Sequence, residues 1–422
     1  MALELSQEGI PILGGAAYPE PLRNEPALTD DLLLEELVHA RHSPLHEGIR
    51  PRYGCLIVAD LADLPAGVLD PHHLVTDPAA HLTLRPLVDG HHTVVVRDLA
   101  GRAGVAITPV EGELDVVDLI RTWKAVSIQR LADGRIRVGT EAGVALADGG
   151  DWSLRPSTGA VMRDLLHQLN LPGDDRMQRF AHLRSLLEFC FHALSPNGIG
   201  ATLVVSLDKD CSALLHGASD TGQSPPLAIN VFERDEQQYF LNLLAANDGA
   251  CFTDPDGQLR HYTVKLKATE RAMELMSEMG GTRHTSSKRF SFDHPGALVV
   301  VVSADGPVTL FCAGAKVGRL TSARSDDGTS WIANTPSSVR LTLGTSWHHL
   351  ECPRCQTPHL VGVTAPEPNP ARQDATSTPR EPIQAACAAC GTTLGSFESA
   401  VHVEVRIRMP WVAEPPTDGS PS

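Results

Sequence analysis

The chain has 422 residues, 42% of them hydrophobic and 20% charged, with a formal net charge of −16. That length predicts two or three domains, each able to bury a core. The acidic balance argues against bulk binding of duplex nucleic acid, which needs a basic face. No run of 18 apolar residues occurs, and Met1-Ala2-Leu3-Glu4 lacks a basic segment followed by an apolar one. Neither secretion nor a membrane span is therefore expected, and the expected location is cytoplasmic.

Residues 1–155 read as one smaller α/β unit. Thr29-Asp30-Asp31 caps a helix that starts at Leu32, with acids in the first turn where the helix dipole favours them. Cys55–Ala59 and Thr93–Val96 are short apolar runs that fit buried strands. Turn signals at Ala132-Asp133-Gly134-Arg135 and Ala147-Asp148-Gly149-Gly150 punctuate a β-rich end. The pairs His72-His73 and His91-His92 are flanked by Pro or Gly and read as surface histidines. Ser157-Thr158-Gly159 and Pro172-Gly173-Asp174-Asp175 mark a boundary.

A second unit is expected over 160–345. Leu183, Leu186, Leu187, Cys190, Phe191 and Leu194 recur at helical spacing and end near Ser195-Pro196-Asn197-Gly198. A strand follows from Ile199 to Leu207, and Leu227–Phe232 leads into an apolar helix through Phe240, Leu241, Leu243 and Leu244. Asp248 closes that helix and opens a strand, Ala250–Thr253, which turns at Asp254-Pro255-Asp256-Gly257, a strong hairpin signal. The next helix is predicted over Lys267–Met279, stopping at Gly280.

Gly281-Thr282-Arg283-His284-Thr285-Ser286-Ser287 then gathers backbone N–H groups, hydroxyls, a guanidinium and an imidazole in one turn, which suits a triphosphate. Reading Thr282 as a helix N-cap is compatible, because a capped N-terminus is also an anion site. Ala297–Ser303, the turn Ala304-Asp305-Gly306 and Val308–Cys312 complete a mixed α/β order around one sheet. A carboxylate on one strand with a donor-rich turn beyond it is what metal-assisted nucleotidyl transfer requires.

Near the C-terminus, Cys352-Pro353-Arg354-Cys355 and Cys387-Ala388-Ala389-Cys390 have the spacing of two knuckles that complete a four-thiolate Zn2+ site. Four thiolates close such a site, so the zinc is read as structural, with His348, His349 and His359 as spare ligands. A zinc ribbon is expected over 346–410 with a disordered insertion at 364–382, and 411–422 is expected to be a disordered tail. Residues 350–422 are net acidic, which again argues against nucleic acid. Cys55, Cys190, Cys211, Cys251 and Cys312 sit in apolar segments and read as buried free thiols.

Four segments together carry a resemblance: Leu194-Ser195-Pro196-Asn197-Gly198-Ile199-Gly200-Ala201-Thr202-Leu203-Val204-Val205, Asn247-Asp248-Gly249-Ala250, Gly281-Thr282-Arg283-His284, and Gly296-Ala297-Leu298-Val299-Val300-Val301-Val302-Ser303. In this order and spacing they resemble the diadenylate cyclase (DAC) domain, best known from the DNA-integrity scanning protein and the membrane-bound cyclic di-AMP synthases. The resemblance implies a mixed central sheet flanked by helices, preceded here by the smaller α/β domain and followed by the four-cysteine ribbon. It implies an enzyme that joins two ATP molecules into the second messenger cyclic di-AMP, releasing two pyrophosphates, with Mg2+ or Mn2+. It also implies a homo-oligomer in which two DAC domains face each other, each presenting one ATP.

Carried onto this chain, Asp248 would hold the metal and act on the 3′-hydroxyl. Gly249 would permit close backbone approach, and Ala250 would begin the strand beneath the nucleotide. Arg283, His284 and the Thr282 hydroxyl would contact phosphates, with Gly281, Thr285 and Ser286 completing the donor turn. The family's usual Arg-His-Arg reads Arg283-His284-Thr285 here, one guanidinium short, and Lys288 and Arg289 are the candidates to restore that charge. The acid that follows the donor turn in the family is displaced, with Asp293 the nearest candidate. These departures leave open a second reading, a DAC domain that binds ATP or a cyclic dinucleotide without turnover. Residues 1–155 resemble, more loosely, bacterial sensor domains that precede DAC domains, so a regulatory domain with an unknown ligand is expected.

Overall fold

A computed structural model describes residues 30–324 apart from 44–49, 70–73, 77–79, 111, 149–150, 160, 163–164, 166–175, 208–213 and 215–221, together with 345–364, 382–397, 400 and 402–407. The features expected at His72-His73, Gly149-Gly150, Pro172–Asp175, Cys211, the side chain of His349, nearly all of the 364–382 insertion and the 411–422 tail lie outside the described residues. The chain divides into two compact units, one of residues 1–158 with 321–333, the other of 159–320 with 334–422.

In the first unit, helix α1 (Asp30–His42) precedes strands β1 (Tyr53–Val58), β2 (Thr93–Asp98) and β3 (Ala103–Ile107), then helix α2 (Glu113–Trp123). Strands β4 (Val126–Arg130), β5 (Ile136–Thr140), β6 (Gly143–Asp148) and β7 (Asp151–Pro156) follow. They form one sheet in the order β14-β7-β6-β5-β4-β1-β2-β3, in which β14 is the short return strand Ala323–Arg324. β1 and β2 are parallel and their neighbours antiparallel. Every residue of β1 is buried, because Cys55 and Ile57 pack with Leu33 and Leu37 of α1 while Leu56 and Val58 pack with Val116 and Ile120 of α2. A strand covered on both faces loses the period-two alternation, which is why it reads as a continuous apolar run. α1 also carries Glu35 and the fully buried Glu36, matched by Arg85, Arg97 and, for Glu35, His81.

In the second unit, α3 (Arg176–Phe189) continues as a π turn (Cys190–Leu194) and a 3-10 turn (Ser195–Asn197). β8 (Ala201–Ser206), α4 (Gln237–Ala246), β9 (Ala250–Thr253), β10 (Leu259–Val264) and α5 (Glu270–Leu275) come next. α6 (Thr282–Asp293), β11 (Ala297–Val302), β12 (Val308–Cys312) and β13 (Ala315–Leu320) complete a sheet of order β10-β9-β8-β11-β12-β13. β8 and β9 are parallel, so a crossover including α4 joins them, and β10 and β11 run antiparallel to them. The starts of β8 and β9 therefore meet the ends of β10 and β11 at one end of the sheet. Thr202 pairs with Ala250 and Val301, and Ala250 with Val264.

α6 is seated on this sheet by Phe290, which is fully buried in a cluster with Val204, Phe252, Val299, Val301 and Phe311. Its ring meets Phe252 edge-on, with centroids 5.7 Å apart at 87°.

Two predicted boundaries are corrected. The helix expected over 267–279 is only Glu270–Leu275. Thr269 starts it, its Oγ1 accepting the Ala272 N–H at 3.1 Å while its own N–H and hydroxyl donate to the Asp293 carboxylate at 2.8 and 2.6 Å. Met276 then turns extended and enters an apolar cluster with Cys352, Cys355 and Cys387. The donor segment is not a loop. It is the first turn of α6, with Gly281 at φ 91° as N-cap in place of Thr282.

Beyond the sheet, β15 (Thr345–Glu351), β16 (Pro358–Thr364) and β19 (His402–Ile407) form a three-stranded sheet, and β17 (Ile383–Ala386) pairs with β18 (Thr393–Phe397). Replacing Phe290 by Ala should cost about 3–5 kcal/mol in denaturant unfolding of this unit, from lost burial plus the cavity left. A loss below about 1 kcal/mol would mean that α6 is held elsewhere.

Candidate functional site

A cleft of about 720 Å3 opens where the four strand ends converge. Thr202, Ala250, Val264 and Val301 form its floor, Asp248, Lys265 and Asp305 stand at its rim, and Gly281, Thr282, Arg283, His284 and Ser286 bring the first turn of α6 to it. The carboxylate and the donor turn singled out in the sequence thus share one cleft. Gly281 offers no side-chain cap to the first N–H groups of α6, and the helix dipole favours an anion there.

Asp248 follows Asn247, whose Nδ2 donates to the Leu243 carbonyl at 2.8 Å and ends α4. Arg283 Nη2 donates to Asp248 Oδ1 at 2.9 Å. That bond, then the Gly249 N–H, holds the Asp248 carboxyl below its ordinary range, so it is ionised at neutral pH. With Asp248 87% exposed, the pair is solvated and adds little to stability. Its guanidinium is free to exchange this partner for a stronger anion.

Gly200, just ahead of β8, keeps that guanidinium in place: a Cβ there would overlap Arg283 Nη1. Gly249 lines the cleft and has a structural role there as well. At φ 108°, a Cβ would lie 2.7 Å from the Thr263 carbonyl carbon, so the glycine admits the neighbouring strand.

His284 is half-buried, its Nε2 3.3 Å from Thr309 Oγ1, and burial followed by the nearby Arg319 lowers its pKa. It is neutral at pH 7 and can serve as donor or acceptor. Thr285 does not line this cleft. Its hydroxyl accepts the Met279 N–H at 3.0 Å and donates to the Met279 carbonyl at 2.9 Å, closing the turn that leads into α6. Asp293, bonded to Thr269, is likewise committed to the fold. Thr202, Lys265, Ser303 and Asp305 line the cleft without having been singled out. Asp305 reads only as a turn residue, and Lys265 is not read at all.

The four cysteines also converge. Cys352 and Cys390 Sγ lie 3.5 Å apart, Cys355 and Cys387 Sγ 3.6 Å, and all four lie within 4.8 Å of one another. Tetrahedral zinc with Zn–S bonds of about 2.3 Å needs sulfurs about 3.8 Å apart, so the residues fit the ion. His359 is not a fifth candidate. Its Nδ1 lies 2.7 Å from the Thr357 carbonyl and its Nε2 accepts the Ala388 N–H at 3.3 Å, which ties one knuckle to the other. His348 is exposed, its ring 6.3 Å from Phe397. His92 is exposed and paired with Asp89. Glu35, Glu36 and His81 also cluster, but Arg85 and Arg97 already balance those carboxylates.

Residues 189–316 match the family model described as DAC, the DisA bacterial checkpoint controller nucleotide-binding domain. This part of the chain, which carries the cleft, is therefore a DisA-like nucleotide-binding domain. Solved structures similar to the chain include a double-cysteine variant of DacA from Staphylococcus aureus, 16% identical, covering 35% of this chain and 87% of that one with a TM-score of 0.22. Another is a hypothetical membrane-spanning protein from Bacillus cereus, 19% identical, covering 38% and 86% with a TM-score of 0.24. Among curated proteins there is no match. Among the described residues no helix is long and apolar enough to cross a membrane.

Gly200→Ala should fold with near-parental stability, since the displaced atom is the free end of a flexible side chain. It should nevertheless break the Arg283–Asp248 pair and raise the Asp248 pKa toward its ordinary value. Carboxyl-carbon NMR titration reads this directly, and an unmoved Asp248 would show that Gly200 does not position Arg283.

Proposed function

We propose that the chain is a diadenylate cyclase, condensing two ATP molecules into cyclic di-AMP with release of two pyrophosphates. The observation that carries this reading is the single cleft that joins the ionised Asp248 to Arg283, His284 and the open N-terminus of α6 within the DAC-matched residues. A triphosphate meets cationic and N–H donors there, beside a carboxylate able to share a divalent ion with it.

Mg2+ or Mn2+ fits the exposed Asp248 carboxylate at the cleft, since such ions use one or two carboxylates and complete their shell with phosphate and water. Bound there, the ion supplies charge neutralisation at the reacting phosphate. On ATP binding, Arg283 exchanges Asp248 for phosphate oxygens, and the released carboxylate turns to the 3′-hydroxyl of the ATP in its own cleft, which faces the α-phosphate of the ATP held by the other chain. The 3′-oxygen forms a bond to the α-phosphorus, the bond to the pyrophosphate oxygen breaks, and the hydroxyl proton passes to Asp248 or water. His284, neutral and anchored near Thr309, donates to a phosphate oxygen without adding net charge. One cleft holds one ATP, so the two bonds of a cyclic product call for two chains face to face.

The four-thiolate site is read as a structural Zn2+ site, the C-terminal segment as its ribbon, and the first unit as a regulatory domain for an unidentified ligand. The departures at Thr285 and Asp293 favour the rival reading, a receptor without turnover. The retained Asp248, Arg283 and His284 favour the cyclase.

Asp248→Asn should reduce ATP turnover at least about a hundredfold while leaving the fold intact, since the shape is kept and only the charge is lost. Arg283→Ala should weaken binding and turnover together. A mixture of the two inactive variants keeps one bond-forming half per mixed dimer and damages the other twice. It should yield linear dinucleotide at most, and cyclic product at half the parental rate would contradict the face-to-face arrangement.

Freshly prepared protein should hold one zinc per chain. Cys352→Ser or Cys387→Ser should lose it and become protease-sensitive over 345–400, because metal binding and folding of a small site are coupled. Protein without zinc, prepared free of chelator, would remove the assignment.

A further inference from the structure

A second recess, of about 470 Å3, adjoins the nucleotide cleft on the other side of the first turn of α6. Gly281, Thr282, Ser286 and Leu266 line both, so the two are continuous around that turn. Its one cationic lining residue is Arg289, on the same face of α6 as Thr285, one turn further along. Lys288, the other basic residue of this turn, is buried, and its Nζ donates to Ser277 Oγ at 3.2 Å. Of the two, only Arg289 reaches the recess.

The Arg289 guanidinium has weak compensation. Its Nε meets the Met276 carbonyl at 3.4 Å, and its nearest carboxylate is Glu278 at 3.8 Å, a side chain 84% exposed. Glu278 lines the recess as well, but its carboxylate is solvated and 3.8 Å away, so the partly sheltered guanidinium fork can exchange it for a phosphate oxygen pair. The Thr282 and Ser286 residues shared by the two recesses provide a polar path for a chain of phosphates from Arg283 on one side to Arg289 on the other.

We propose that this recess is the subsite for the terminal phosphates of the bound nucleotide and for the pyrophosphate that leaves, with Arg289 as its recognition cation. The assignment rests on the nucleotide-cyclase reading and adds to it a specificity for triphosphate over monophosphate. It also gives Thr285 a reason: its small hydroxyl, bonded back to Met279, leaves the recess open for the guanidinium one turn away.

The test uses full-length protein with 3′-deoxy-ATP and 3′-deoxy-AMP, which bind without forming the 3′ bond, and calorimetry as readout. The parental chain should bind the triphosphate at least about thirtyfold tighter than the monophosphate. Arg289→Ala and the milder Arg289→Gln should each shrink that preference about tenfold, leave monophosphate affinity unchanged, and weaken competition by inorganic pyrophosphate to a similar extent. A triphosphate preference preserved within about twofold in both variants would overturn the subsite while leaving the cleft reading intact. Equal loss for both nucleotides would also overturn it, since the guanidinium would then be supporting the fold. A parental chain that binds neither nucleotide would overturn both the subsite and the nucleotide reading beneath it.

Discussion

The seating of α6 on the six-stranded sheet decides where Arg283 and His284 lie relative to the carboxylates of the cleft. Phe290 fixes the helix in a dry cluster on β8, β9, β11 and β12, and a buried aromatic of this size allows little sliding. With the helix axis fixed, its open N-terminus faces the end of the sheet where β8 and β9 begin. Asp248 stands there because it ends a crossover that must deliver β9 parallel to β8. Apolar packing therefore sets the distance between a carboxylate and a guanidinium that contribute little to stability themselves.

That division explains what could be read in advance. The apolar strands and the hairpin at Asp254–Gly257 followed from local pattern, and β9 and β12 run over the residues expected. The convergence of Asp248 with Arg283 rested on a resemblance, because no local signal reports which strand ends meet. The boundaries that failed did so for tertiary reasons. α5 stops early because Met276 is drawn into the cysteine cluster, and Gly281 caps α6 because the turn before it is closed by Thr285. Lys265 and Asp305 gave no sign of their place, being ordinary charges whose meaning comes from the sheet topology.

The cysteine cluster is not remote from this arrangement. Met276, Leu275 and Phe292 pack against it, and Arg271 donates to the Cys355 carbonyl at 3.1 Å and to Gln356 Oε1 at 2.8 Å. Nearby cysteines, Cys390 first, oppose the lowering that burial imposes on the Lys288 pKa. Four thiolates around one zinc would carry a net charge of about −2, and a buried lysine on α6 would offset part of it. The same helix thus presents Arg283 to the cleft at its start and a cation toward the cysteines in its middle. Folding of the cysteine site and placement of the donor turn draw on shared residues.

The proposed cyclase makes phosphodiester bonds in this cleft, whereas a receptor only holds nucleotide there. Incubating the purified chain with ATP and Mg2+ or Mn2+, and resolving products by mass, tests the proposal most directly. A cyclase yields a cyclic dinucleotide of two adenylates, with two pyrophosphates released for each product formed. ATP recovered unchanged at concentrations that saturate the protein would contradict it and leave a receptor.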